Sequence, residues 1–188
     1  MKKLLLLSIV VILVFAMIGC GGSLLNEITY KQCGAITYNV DGTWREDPIT
    51  SDTAEVQNYL LTNDANQFGL SVGWIETSEL NTETFLRTAL DNQLIQLSGL
   101  DTPPKTIFSD LITINNITGY RYKVSVAAND FFPEGIYIDC FRTIIDGKDT
   151  SVTFLVLLTE LNEYEKVIEE VMNSIETISG NPNPLVEA

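Results

Sequence analysis

At 188 residues the chain has room for one domain, and it is acidic: 25 Asp and Glu stand against 11 Lys and Arg, for a formal net charge of −14, with no histidine. A phosphate backbone needs the opposite charge balance, so nucleic acid is excluded as a partner. The missing imidazole removes His-ligated metal sites and every catalytic triad or dyad built on histidine.

Residues 1–19 read as a leader rather than as part of a fold. Lys2 and Lys3 give a positive start, Leu4 to Ile18 is an apolar run broken only by Ser8, and small Gly19 precedes Cys20. The run is shorter than the roughly 20 residues of a spanning helix. Met17-Ile18-Gly19-Cys20 resembles the bacterial lipobox, with Met17 where Leu is usual. The resemblance implies that the Cys20 sulfur takes a diacylglyceryl group and that cleavage makes Cys20 the new N-terminus. At about 0.8 kcal/mol per buried CH₂, two or more acyl chains hold a protein durably on a bilayer. The expectation is a membrane partner reached through Cys20, on the extracytoplasmic face of the cell membrane. Residues 20–27 form a short linker containing Gly21-Gly22-Ser23, which keeps the domain within roughly 20–30 Å of the lipid. Two of the basic residues leave with the leader, so the remainder is more acidic still and anionic headgroups repel it.

Beyond the linker, Ile36, Tyr38 and Val40 alternate on a strand over 35–40 that turns at Asp41-Gly42 ahead of Trp44. Tyr59 to Thr62 predicts a short strand. Phe68, Leu70, Val72 and Trp74 recur at every second residue, with Gly69, Ser71 and Gly73 between them. A helix follows, capped by Asn81 or Thr82, with Glu83 in its first turn and an apolar stripe of Phe85, Leu86, Ala89, Leu90, Leu94 and Leu97. Gly99 and Pro103-Pro104 end it. Strands are predicted over 107–114 and 120–126, the latter with Tyr120, Tyr122, Val124 and Val126 facing in and Arg121, Lys123 and Ser125 facing out. Ile136–Ile145 and Ser151–Leu158 flank the hairpin signal Asp146-Gly147. The second of these is apolar on both faces, which predicts a central strand covered on each side. A last helix spans 162–178, with Tyr164, Val167, Ile168, Val171, Met172, Ile175 and Ile178 at helical spacing. The turn-rich tail 179–188 is expected to fray. Hairpin-linked strands with two helices predict an α+β fold, a three-layer α/β/α sandwich around a mostly antiparallel sheet.

This outline resembles the PsbP-like (PsbP/Mog-type) domain over residues 28–178. The residues that carry the resemblance are the strand, turn and Trp of Ile36 to Trp44, the Gly-rich alternating strand before the first helix, the strand pair Leu111 to Val126, the Gly-turned hairpin and the single C-terminal helix. Asp41-Gly42-Thr43-Trp44 stands where Pro-x-Gly-Trp is frequent, and Asn115-Asn116 where a Gly-bearing turn is common. The resemblance implies a fold and a bias toward binding or assembly, and it brings no catalytic residue with it.

The residues themselves offer little chemistry. Gly69-Leu70-Ser71-Val72-Gly73 matches a nucleophile elbow, but a strand-to-helix turn and a His base are both lacking. The glycines read instead as places where a neighbouring strand lies close. Asp64 to Gly69 fails the calcium-loop pattern at Phe68 and Ile75. Asp130, Glu134 and Asp139 are near in sequence with nothing to order them for acid–base work. No metal site and no cofactor is expected. In the loop Asn129 to Gly135, adjacent Phe131 and Phe132 cannot both face inward, which makes them candidate partner contacts unless both fold over the sheet edge. The outward row of Arg121 and Lys123, which Arg142 could extend, concentrates positive charge and reads either as a solvated strand face under a helix rim or as a contact for an acidic partner. With Cys20 acylated, Cys33 and Cys140 are left either as a disulfide or as two buried thiols. The resulting expectation is a membrane-anchored, non-catalytic module that binds an envelope protein or a small ligand. The alternatives are a structural or assembly factor of an envelope complex, and a hydrolase that works without histidine.

Overall fold

A computed structural model describes residues 25–60, 69–98, 103–130 and 132–187. Strands β3 (Arg45–Thr50), β4 (Ala54–Leu60), β5 (Gly69–Glu76), β6 (Lys105–Ile114), β7 (Ile117–Val126), β8 (Ile136–Ile145) and β9 (Lys148–Leu157) form one seven-stranded sheet in the order β3-β4-β5-β9-β8-β7-β6. Every neighbouring pair is antiparallel. The strand apolar on both faces, β9, lies at its centre. Period two explains why it needs cover twice: Val152, Phe154 and Val156 enter one apolar cluster, while Leu155 packs against the other. Strand β8 divides in the same way, sending Tyr137, Phe141 and Ile145 to the first face and Ile136, Ile138 and Cys140 to the second.

Helix α1 (Glu83–Ser98) covers the second face, with Leu86 and Leu90 against Tyr120, Tyr122 and Val124. Thr82 is its cap, its Oγ1 accepting the Phe85 N–H at 3.2 Å. Asn81 has another task. It is buried, its Nδ2 donates to the Thr118 and Pro184 carbonyls at 3.1 and 3.3 Å, and its Oδ1 accepts the Ile144 N–H at 3.1 Å. The first face is covered by helix α2 (Leu161–Asn173) and by a small sheet of β1 (Ile28–Cys33), β2 (Ile36–Asp41) and β10 (Glu176–Thr177), in the order β1-β2-β10. The expected three layers are therefore present, with a second sheet sharing one of the outer layers.

Strands β1 and β3 have no counterpart among the predicted elements, β4 begins at Ala54 rather than at Tyr59, and four further features differ from the sequence expectation. The β1–β2 hairpin leaves the main sheet and packs on it. Helix α2 stops at Asn173 rather than near 178, because the Ser174 backbone and side chain both bond the Val171 carbonyl. Ile175 still reaches the core, now from an extended segment, and Ile178 is exposed. The tail does not fray as far as it is described: Asn183 bonds Thr118 and Asn116 through its backbone and Thr143 and Ile144 through its side chain, and Leu185 packs on the second cluster. Lastly, the charged row is neither single nor solvated. Arg121 and Lys123 lie on the first face, where Arg121 is buried. Arg142 lies on the second face, bonded to Asp149 and beneath the Phe85 ring.

The turns are those the hairpins require. Asn115 and Asn116 adopt φ of 44° and 68°, and Asp146 and Gly147 adopt 52° and 71°, which is the backbone of two-residue type I′ turns. Asn115 does more than a glycine could, since its Nδ2 donates to the Asn173 and Ile175 carbonyls at 2.7 and 3.1 Å and closes the end of α2.

Candidate functional site

Helix α2 lies over β8, β9 and β2, and the small sheet covers the β4–β5 end of the first face. The β6–β7 end is left open beside the helix. A groove of about 560 Å³ lies there, walled by Ile107, Phe108 and Ile112 of β6 and by Leu161, Glu165 and Glu169 of α2, with Arg121, Lys123 and Tyr137 along its base. Ile107 is 54% and Phe108 37% exposed, so this rim is apolar surface open to solvent.

The base is a charge cluster assembled from three elements. Arg121 donates to both oxygens of Asp139, from Nε at 2.8 Å and from Nη2 at 2.7 Å. Its Nη1 and Nη2 also reach Glu169, at 3.0 and 2.7 Å, and Lys123 adds a 2.6 Å bond to Glu169. Burial works against the Arg121 charge, but the bonds to Asp139 and Glu169 outweigh it and raise its pKa. Burial disfavours the Glu169 carboxylate as well, yet Arg121 and Lys123 hold it below the usual carboxylate range. The Tyr137 hydroxyl is pushed up, first by burial and then by the charge of Asp139. All three shifts move away from neutrality. The cluster is suited to fixing charge and rigidifying the groove, and poorly suited to passing protons at physiological pH.

Other candidates from the sequence are not brought together. Ser71 lies in mid-strand between Asn58 and Thr153, not at an elbow. A side chain at Gly69 would collide with the Tyr59 carbonyl, which is the close strand approach expected. Glu134 accepts a bond from Thr159, Asp139 belongs to the Arg121 cluster, and Asp130 is exposed. Among the described residues no group of His, Cys, Asp and Glu could hold a metal ion. The disulfide alternative is not realised. Cys33 and Cys140 are free and fully buried in different clusters on opposite faces of the main sheet, with the sheet between them. Burial, helped by the nearby Glu55 charge, pushes the Cys33 thiol up to about 12. Phe132 is half-buried against the second cluster, so its ring is engaged in packing. Phe131, Cys20, linker residues 21–24 and most of the failed calcium loop lie outside the described residues.

The groove itself is missed by the sequence reading. Its one signal is the spacing of Glu165 and Glu169, four apart on one helical face, with Arg121 and Lys123, two apart on one strand face. Nothing in the sequence says that these two faces meet.

No family model matches the chain, and no match is found among curated proteins. Solved structures do match. The cyanobacterial PsbP protein CyanoP of Synechocystis sp. PCC 6803 superimposes with a TM-score of 0.58 at 15% identity, over 85% of this chain and 97% of CyanoP. LpqN of Mycobacterium tuberculosis, described as involved in cell envelope biogenesis, gives 0.51 at 14% identity, over 80% of this chain and 91% of LpqN. A single-substitution variant of the protein Mog1 gives 0.51 at 14% identity, over 81% of this chain and 96% of Mog1. With mostly antiparallel sheets and a helix on each face of the larger one, the chain has the PsbP/Mog-like α+β fold.

Proposed function

We propose that this protein is a lipid-anchored extracytoplasmic lipoprotein whose domain is a non-catalytic binding module, and that the α2–β6 groove is its contact surface for another envelope protein or a small ligand. The observation that carries the binding part is the groove: an open apolar rim over a fully paired charge cluster, a geometry that recognises rather than reacts. The role of LpqN in cell envelope biogenesis supports the setting. The leader and the lipobox-like Met17 to Cys20 support the anchor. The two parts are tested separately. Mass spectrometry of the mature N-terminal peptide is expected to find Cys20 acylated, and Cys20→Ser is expected to release the chain from the membrane fraction. A bare thiol, or a Cys20→Ser chain that still sediments with membranes, overturns the anchor. For the groove, a photoactivatable benzophenone amino acid at Glu165 of the lipidated chain is expected to give a discrete adduct in intact cells. No adduct, or adducts with bulk lipid only, overturns the groove as a contact surface.

A further inference from the structure

The two edges of the main sheet are unlike. On β3 the sequence Arg45-Glu46-Asp47-Pro48 places three charges and one residue without an N–H along the edge, which blocks pairing. At the other edge, β6 runs for ten residues and carries two charges, Lys105 and Asp110. Its free hydrogen-bonding groups follow from the register. Ile114 and Ile117 close a two-residue type I′ hairpin, so they form a hydrogen-bonded pair. Alternation then turns the N–H and C=O groups of Ile112 and Asp110 toward β7, and those of Thr113, Leu111 and Ser109 outward. The Leu111 N–H agrees, since it bonds the Asp110 carboxylate at 2.8 Å rather than a β7 carbonyl. The same register turns the N–H groups of Ser109 and Thr113 away from β7.

The same strand walls the groove. Phe108, Asp110 and Ile112 lie on the face that carries Arg121 and Lys123, and the irregularity between Thr106 and Phe108 adds Ile107 to the lining. A strand laid against β6, about 4.8 Å farther out, would hold its alternate side chains over the groove. Charge decides what that strand carries. The two cations of the groove are both engaged by Asp139 and Glu169. Glu165 and Asp110 have no ion-pair partner among the described residues, and the whole chain is at −14. A second copy would set one strongly acidic body against another. An incoming strand with Lys or Arg is attracted both at long range and at the rim.

We propose that the guest of this groove is an extended, basic segment of another polypeptide that adds to β6 as an eighth strand of the sheet. The proposal rests on the reading of the groove as a contact surface and names its occupant. The main chain supplies binding, alternate apolar side chains meet Ile107, Phe108 and Ile112, and cationic ones meet Glu165 and Asp110.

The test is a crosslinking walk on the full lipidated chain in intact cells, with the benzophenone residue at 108, 110 and 112 in turn and the captured residue identified by mass spectrometry. Strand addition predicts one captured segment containing Lys or Arg, with the captured position moving two residues per step in a constant direction. It also predicts that Ser109→Pro, which removes an outward N–H, lowers adduct yield at least tenfold, while Ser109→Ala, which keeps it, does not. An adduct from position 165 without a register walk from β6 overturns strand addition and leaves the groove reading standing. So does capture of a second copy, a small molecule or an acidic segment. No adduct from any of these positions overturns both. The walk does not depend on Ser109→Pro folding.

Discussion

Arg121 is shared between a carboxylate that is wholly buried, Asp139, and one that is 37% exposed, Glu169. The two bonds therefore differ in what their loss costs. Arg121→Met strands Asp139 in the core with Lys123 at 3.6 Å as its nearest cation, and is expected to destabilise by about 3–5 kcal/mol in urea unfolding. Glu169→Gln leaves water to replace the lost charge and is expected to cost about 1 kcal/mol or less. Adding Asp139→Leu to Arg121→Met removes the stranded charge, so the double variant is expected to regain most of the loss; a double variant no better than the single one contradicts this account. At the Asp41 turn the carboxylate accepts the Thr43 N–H and hydroxyl at 2.9 and 2.7 Å and the Asn26 N–H at 2.7 Å. Burial opposes its charge, but these bonds prevail and depress its pKa. The folded state thus binds this proton less tightly than the unfolded chain, whose Asp titrates near ~3.9. The stability involved is complete above that value and is lost as pH falls through the lower native one. Asp41→Asn sets an amide N–H against a backbone N–H. It is expected to cost about 2 kcal/mol at neutral pH and to make unfolding free energy less steep as pH falls below about 5. An unchanged acid slope would show that Asp41 does not titrate as described.

Among the elements, the strands with plain alternation were legible because one residue type filled each face. Leu70 and Val72 on β5, or Tyr120 to Val126 on β7, are buried as their spacing predicts. Alternation also says that Arg121 and Lys123 share a face. It cannot say that this face is roofed, because the roof is Glu169, 48 residues away from Arg121 on another element. The β1–β2 hairpin carries the same local pattern as a strand pair within the main sheet. Only the pairing of Glu176 and Thr177 with Thr37 and Ile36 assigns it to a separate one. The end of α2 was overextended for a similar reason, since Ile175 keeps helical spacing while leaving the helix. That end depends on the β6–β7 turn. Asn115→Gly keeps the required positive φ but loses both bonds to the α2 terminus, and is expected to lower stability by about 1–2 kcal/mol with the hairpin intact. Hydrogen exchange should rise at residues 171–175 and not at 117–126; uniform change across both would contradict the link.

On the scale of the whole molecule, the C-terminal tail fastens the end of the main sheet. Asn183 and Asn81 together join β7, β8, the approach to α1 and the last residues of the chain. Truncation after Pro182 leaves the Thr118 N–H and the Ile144 carbonyl without these partners and uncovers the site of Leu185. It is expected to cost about 3 kcal/mol, which for a domain of this size is a fall in Tm of roughly 6–12 °C. A truncated chain that melts like the parent would show that the tail merely rests on the surface. On the proposed anchoring, four residues separate Cys20 from Leu25, which is buried in the first cluster, and a spacer that short would hold the body close to the bilayer. The unequal rims of the large sheet bear on stoichiometry. Fibre growth by lateral stacking needs a receptive border on both sides of every unit, and Pro48 with its charged neighbours denies one of them. On the proposed strand addition, a guest along β6 would finish the array, and the complex would close at one guest for each copy of the chain.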